Sequence, residues 1–504
     1  MSAAEVQHPS GEEQPGSLRE LLRVAVPLVI STGSLSLMHV VDRVMLTWYS
    51  TDALAASTPG GMLHWTLFSF PFGVAMYVNT FVAQYEGAQR PDRVAAAVWQ
   101  GLWMGLVAGG LLAVTAPWTR QLTGLFGHTE SITRLESDYF TVLAIGSPAG
   151  LISGVLSSFF SGRGRTKVIA AINIVITLVN AGCNAVLIFG AGPVPSLGIQ
   201  GAAWGTVIAQ IVGCGLFIAW IRVDPESRSY PLGEQWRFDR ALSARLFKYG
   251  LPNGLQYVTD VGAFLLLLVF IGRIGSQELA ATNLAFNLNS LAFIPLFGMG
   301  TAVSILVGQR VGEGRPQLAI RTTWLAFGMA ALYTGVWAVL YVVAPDLMLA
   351  PFARHSDPAE FAELRDIVVT LLYFVTAYMW FDAMAVVFGS AIRGAGDTHF
   401  SLLFNTAVLW LLMVLPVFVI YHKGGGLYAC WVALCVQLLF LGTGFLLRFM
   451  GGKWLTMKVI EHTLVGVQVP SMMEEPGALV ATSSIETESV LEAAEGGATP
   501  GGGS

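Results

Sequence analysis

Charge is what this chain of 504 residues has little of: 12% of it is Asp, Glu, Lys or Arg, against 54% hydrophobic residues. A water-soluble protein with that balance would lack the polar surface to cover its core, so the solvent is lipid. Cysteine is scarce too. The four present, Cys183, Cys214, Cys430 and Cys435, all fall inside apolar segments, which argues against a disulfide framework and against a loop metal site. The eight histidines are scattered without ligand spacing, so a membrane enzyme built on a catalytic or metal cluster is not expected. The alternating pattern of a membrane β-barrel is also absent.

What is there is a series of apolar segments of about 20 residues or more, each long enough to cross roughly 30 Å of hydrocarbon as a helix that satisfies its own backbone. Twelve spans are predicted, near 22–48, 58–84, 94–116, 136–160, 166–190, 198–221, 247–272, 283–309, 317–344, 365–391, 399–421 and 425–449. The first twenty residues, with Glu12 and Glu13 and no apolar core, do not resemble a cleavable signal peptide. Basic residues are retained on the cytoplasmic side. With the N-terminus inside, twenty Lys and Arg residues are cytoplasmic and six lie opposite, so both termini are expected in the cytoplasm. Residues 451–504, rich in Glu, Ser, Gly and Ala, read as a disordered cytoplasmic tail.

The chain is also written twice. A shift of 225 residues aligns Pro27 with Pro252, Leu54-Ala55-Ala56 with Leu279-Ala280-Ala281, and Gln84, Gly87, Arg90 and Pro91 with Gln309, Gly312, Arg315 and Pro316. A shift of 232 pairs Gly162, Gly164, Thr166 and Asn173 with Gly394, Gly396, Thr398 and Asn405. An even number of spans per half gives the halves the same orientation, as two bundles facing a central cavity. The expected organisation is a cytoplasmic segment 1–20, an N-lobe 21–222, a linker 223–246 with Pro225 and Pro231, a C-lobe 247–450 and the tail.

A carboxylate in mid-span costs about 3 kcal/mol on insertion scales and needs a reason. Three stand out: Asp42, Asp260 and Asp382. Counting the helical rise from Lys248 and Arg393 puts Asp260 about 18 Å and Asp382 about 16 Å above the cytoplasmic markers, one shared depth. A structural reading would satisfy them with Thr259, Thr376 or Tyr378. Two acids at one depth are better explained by a cation or proton that joins them. Asp42, about 28 Å above Arg23, is as readily an ion-pair partner of His39 or Arg43 near the outer interface. Trp65, Tyr257, Tyr378, Trp380 and Phe381 are candidates for stacking on a cationic compound, with lipid-facing packing as the alternative for each. Pro27, Pro71, Pro148, Pro252, Pro295 and Pro416 are expected to kink their spans.

These features together resemble the multidrug and toxic compound extrusion family, NorM-like branch, over roughly residues 18–450. The resemblance is carried by VP…VVDRVML at 26–46, VAQYEGAQRP at 82–91, SGRGRTK at 161–167, ELAATN at 278–283, VGQRVGEG at 307–314, FDAM at 381–384 and RGAGDT at 393–398. It implies an all-α, 12-helix, two-lobe transporter of a bacterial inner membrane, a monomer by the family's precedent, that exports hydrophobic cations in exchange for sodium or protons. Asp42 then matches the first-span aspartate and Asp382 the tenth-span aspartate, while Asp260 falls where that branch carries a glutamate, one methylene longer. Asn180 and Asn184 fall where other branches carry an Asn and an Asp, so the resemblance implies that cation binding, Na+ or H+, rests mainly on Asp260 and Asp382, with Asp42 as a third cation- or proton-binding residue. Asn180, Asn184, Tyr257, Tyr378 and Asn283 are the substrate-cavity candidates. No cofactor and no nucleic-acid partner are expected. The rival is a lipid-linked oligosaccharide flippase of the same superfamily, whose cavity is rich in Arg; the mid-span charges here are acidic. The orientation predicts that an epitope tag at the C-terminus of this chain in intact cells is protected from external antibody, and labelling there would overturn the topology.

Overall fold

The computed structural model describes residues 15–124, 127–353 and 358–461. Twelve helices are long and apolar enough to cross a bilayer: α1 Leu18–Tyr49, α2 Thr51–Gly87, α3 Pro91–Gly124, α4 Glu130–Gly162, α5 Thr166–Phe189 and α6 Ile199–Val223, then α7 Arg240–Ile274, α8 Ser276–Gly312, α9 Pro316–Val343, α10 Phe361–Ala395, α11 Thr398–His422 and α12 Leu427–Met450. Each coincides with one of the twelve expected segments, four of which overrun the helix by one or two residues. Among the described residues the only β-type pairing is an isolated bridge between Ala191 and Val194.

Local sequence sets the ends. Ser17 caps α1 by accepting the Glu20 N–H at 3.2 Å, and Asp239 caps α7 by accepting the Leu242 N–H at 3.0 Å. Pro91 and Pro316, repeat equivalents, stand in the first turns of α3 and α9, where a missing N–H costs nothing. In α11 the stretch Trp410–Val414 is π-helical immediately before Pro416, so the ladder widens where the proline cannot donate. Outward faces are apolar, as lipid requires: Leu332, Val336, Val339 and Val343 form an exposed stripe at helical spacing on α9.

The linker is shorter than the expected 223–246, because the Asp239 cap starts α7 at Arg240. It is also strapped to α3. Trp99 and Trp103, one turn apart, donate their indole N–H groups to the carbonyls of Leu232 (2.6 Å) and Trp236 (3.0 Å), and Gln100 between them bonds Arg237 O at 3.0 Å. The expectation of a disordered tail from residue 451 is corrected for its first part. Residues 453–456 form a 3₁₀ turn, Trp454 is fully buried and stacks on Phe449 at 4.9 Å, and Val459 and Ile460 are buried. Burial of that indole outweighs the polar composition around it. Residues 462–504, and the first 14 residues of the N-terminal segment, lie outside the described residues.

The lobes meet where α1 packs on α8 and α2 on α7. At the basic end of the bundle this interface is closed by a reciprocal contact between repeat equivalents. A Cβ on Gly87 would stand 2.0 Å from Gln309 O, and one on Gly312 would stand 2.1 Å from Gln84 O. The glutamine side chains then cross over. Gln84 Nε2 donates to the carbonyls of Gly394 (3.0 Å) and Ala395 (3.1 Å), and Gln309 Nε2 donates to that of Gly162 (2.8 Å). Only one half of the latch has an extra partner: the Val459 N–H donates to Gln84 Oε1 at 3.0 Å. An ion pair from Arg310 on α8 to Glu20 on α1 adds to the seal.

No side chain fits between backbones this close. Gly87→Leu or Gly312→Leu should therefore separate the lobes at the basic end, at an overpacking cost on the order of 1–3 kcal/mol in the closed state. The check uses a cysteine in place of Ser304 on the cavity wall, with the four native cysteines replaced, and an impermeant maleimide added on the basic side. Labelling should rise about tenfold in either leucine variant; an unchanged rate would show that these glycines are not the seal.

Candidate substrate and ion site

Above the closed end, a cavity of about 540 Å³ opens between the lobes, in the range that accommodates a drug-sized molecule. Its C-lobe wall carries Asp260 from α7, Asp382 from α10 and Asn405 from α11. The Asn405 side-chain N–H donates to Asp260 Oδ1 at 2.6 Å. One helical turn nearer the basic end on both helices, Gln256 Oε1 accepts from the Ser401 hydroxyl at 3.0 Å. Asp382 has no hydrogen-bond or ion-pair partner among the described residues. The apolar part of the wall is aromatic: Phe72 from α2 meets Tyr257 edge-on at 6.0 Å, and Phe293 and Phe297 complete it from α8.

A second cavity of about 530 Å³ lies beside the first and shares Leu35, Phe72, Gly150 and Gln210 with it. Asp42, His64, Trp65 and Tyr139 line it. Asp42 is buried and accepts from the Asn184 amide, which also reaches Asn180 Oδ1 at 3.3 Å. Asn180 in turn donates to Thr206 Oγ1 at 3.3 Å. No ion pair joins Asp42 to His39 or Arg43 among the described residues, so the interfacial ion pair expected as an alternative is not formed. His64 is held by Ser147 at 3.0 Å and stacks on Phe68 at 5.2 Å between ring centroids.

The candidates read from the sequence therefore separate into groups. Asp260, Asp382 and Tyr257 meet in one cavity, and Asp42 stands in the neighbouring one. Asn180 and Asn184 stand behind Asp42 as its polar support, with neither on a cavity wall. Four placements are corrections: Asn180 and Asn184 support Asp42 from outside both cavities, and two further candidates are turned away from them. Tyr378 is 3% exposed and packed in the C-lobe interior, and Asn283 is exposed on α8; neither lines either cavity. Rotation about the helix and packing within the lobe turn them away from the cavities. Asn405, Gln256, Ser401 and His64 were not singled out as site residues. For Asn405 a signal existed, since it is the repeat partner of Asn173, which bonds Ser31 on α1 at 2.6 Å, one helical turn from the equivalent of Asp260.

The repeat shows which wall residues are special. At the N-lobe positions equivalent to Asp260 and Asp382 stand Leu35 and Gly150, both on the same cavity. In the C-lobe, Leu267 and Pro416 stand where the N-lobe has Asp42 and Asn184. The Asn173–Asn405 pair is duplicated, whereas the acids and Asn184 are not.

A lobed helical bundle with an interfacial cavity sealed at one end defines a membrane transport protein. The chain belongs to the MatE family, whose model matches residues 27–186 and 252–419, once in each lobe. It is 29% identical over 424 residues to a protein of Pseudomonas putida named probable multidrug resistance protein NorM, covering 84% of this chain and 91% of that one. Multidrug resistance protein PmpM of Pseudomonas aeruginosa is 28% identical over 396 residues, with 78% and 82% covered. Among solved structures, an outward-facing multidrug resistance MATE family transporter of the MOP superfamily superposes with a TM-score of 0.79 at 17% identity, over 88% of this chain and 97% of that one. A MOP superfamily transporter from Pyrococcus furiosus, described as having a binding pocket of reverse polarity, gives 0.78 at 18% identity, over 87% and 96%. These two structural likenesses speak for the fold.

Proposed function

We propose that the chain is a secondary active multidrug exporter that exchanges hydrophobic organic cations for sodium or protons by alternating access. The observation that carries this reading is Asp382, with Asp260 beside it on one wall of a drug-sized cavity closed at the basic end and with no basic side chain paired to either. A carboxylate so placed attracts any cation that can enter, and the aromatic faces of Phe72 and Tyr257 hold the apolar body of one. An organic cation and a coupling ion compete for the same negative charge. When the ion arrives from outside, the acids no longer hold the organic cation, and it leaves to the side that is open.

The basic end is the cytoplasmic side in this account, both termini are cytoplasmic, and the membrane is the bacterial inner membrane. The conformation described is then outward-facing. The protein is taken to act as a monomer. Protons need one carboxylate, while sodium needs several oxygens, and Asp260, Gln256, Asn405 and Asp382 are the oxygen-bearing groups on hand. The acidic wall speaks against a flippase for phosphate-linked oligosaccharides.

In proteoliposomes, efflux of a fluorescent lipophilic cation should follow an imposed sodium gradient or an imposed pH gradient, whichever ion couples. Asp260→Asn and Asp382→Asn should each bring the rate to that of protein-free vesicles while leaving the melting temperature and insertion unchanged. Gradient-driven efflux retained in both variants would remove the acids from the mechanism.

A further inference from the structure

The segment that follows α12 touches both lobes. Gly451 and Gly452, the second left-handed at φ +68°, turn the chain out of α12 and into the 3₁₀ turn at 453–456. Trp454 fixes that turn to the C-lobe: its indole is buried against Phe449 and donates its N–H to the Phe449 carbonyl at 2.8 Å. The backbone then runs over Gly396, between α10 and α11, where a Cβ would stand 2.9 Å from Val459 Cγ1. There it reaches the other lobe, and the Val459 N–H donates to Gln84 Oε1 on α2 at 3.0 Å, with Val459 and Ile460 both buried.

That bond completes a side chain on which the seal depends. Gln84 is fully buried, and its Nε2 already holds the carbonyls of Gly394 and Ala395, so Oε1 is the group that still needs a partner. A buried acceptor deprived of its donor costs more than the bond itself is worth, whereas at a parted interface water can satisfy it. The Val459 bond therefore favours one state over the other. It is made when the basic end is closed and lost when α2 moves away from the C-lobe.

The repeat has no counterpart to this crossing. Gln309 bonds Gly162 through Nε2, and among the described residues no backbone N–H meets its Oε1. The chain after α6 stays on its own lobe: the Tyr230 hydroxyl donates to the Glu86 carboxylate at 2.7 Å, and Trp99 and Trp103 hold the carbonyls of Leu232 and Trp236. The reciprocal glutamine and glycine contacts close the lobes symmetrically, and the segment after α12 is an addition made by one lobe alone.

We propose that residues 453–460 are a strap across the lobe interface, which holds the basic end closed and lets go each time that end opens. This rests on the reading that the lobes part at the basic end during exchange. Trp454 is the anchor that stays with the C-lobe, and the Val459 N–H is the catch that engages the N-lobe. The strap biases the transporter towards the state whose cavity is sealed at the basic end, and so sets how often the other state is visited.

Opening is read by double electron–electron resonance between spin labels at Lys167→Cys and His399→Cys, equivalent exposed positions at the starts of α5 and α11. The measurement uses the full chain in nanodiscs with the four native cysteines replaced, and Gly87→Leu as the reference for an opened end. Val459→Pro removes the donated N–H, and Trp454→Ala removes the anchor while keeping that N–H. Each should raise the ratio of long- to short-distance populations on the order of 10-fold. Val459→Ala, which retains the N–H, should shift it less. Unchanged populations in Val459→Pro and Trp454→Ala beside an opened Gly87→Leu would overturn the strap and leave the seal and the exporter reading standing. A shift in Val459→Ala as large as that in Val459→Pro would reduce the segment to packing and overturn the strap too. No longer distance in any variant, Gly87→Leu included, would overturn the strap together with the reading that the lobes part there.

Discussion

The cost of an unpaired carboxylate in a lipid-embedded bundle governs how the rest of this protein has to be arranged. Each such group is worth about 3 kcal/mol against insertion, and it is tolerated only where water, a cation or a polar partner can reach it. Asp260 and Asp382 meet that condition by opening onto a cavity, with Asn405 steadying the first and no partner among the described residues steadying the second. Asp42 meets it by leaning on Asn184 and, through it, Asn180 and Thr206. One group is supported from behind and the other pair is left to be completed from the cavity, which is the difference between a structural and an exchangeable charge balance.

Duplication supplies the frame in which that charge is displayed. The Gln84–Gly312 and Gln309–Gly87 contacts are the same interaction made twice about the lobe interface, and they let backbones touch where any side chain would hold them apart. Because the glutamine amides bond carbonyls at the ends of α10 and α4, breaking the seal leaves groups that water at the basic end can satisfy. A closed state with that property is stable and reversible at once. The turn at 453–456 and the Val459 bond to Gln84 load this symmetric seal from one side only. The acids and Arg393 likewise belong to one lobe, while the N-lobe contributes Leu35, Gly150, Ser161 and the aromatic Phe72 to the cavity wall.

Much of this was legible in the sequence because lipid imposes simple rules. Length and hydropathy found all twelve spans, and the constant offset found the repeat that the family match then met twice, at 27–186 and 252–419. Charge in apolar surroundings found Asp260 and Asp382, and helical rise put them at one depth. Rotation was harder. Tyr378 and Asn283 sit at useful depths but face the lobe interior and the outer surface, since depth says nothing about azimuth when a helix is apolar all round. Arg393 was counted as a cytoplasmic marker, a role its position along α10 supports; only the closure of the lobes brings its side chain onto the cavity floor. Trp454 was the one apolar signal in a stretch whose composition argued for disorder, and a single buried indole decided the matter.

The central claim is that organic cation and coupling ion occupy the same acids in turn. Equilibrium binding of rhodamine B ethyl ester to the purified protein in nanodiscs, titrated with sodium at constant ionic strength and separately with pH, addresses it most directly. The account predicts that the ester's apparent Kd rises in proportion to the coupling ion, and that this dependence vanishes in Asp382→Asn. An ester affinity indifferent to both sodium and protons in the wild-type protein would contradict it.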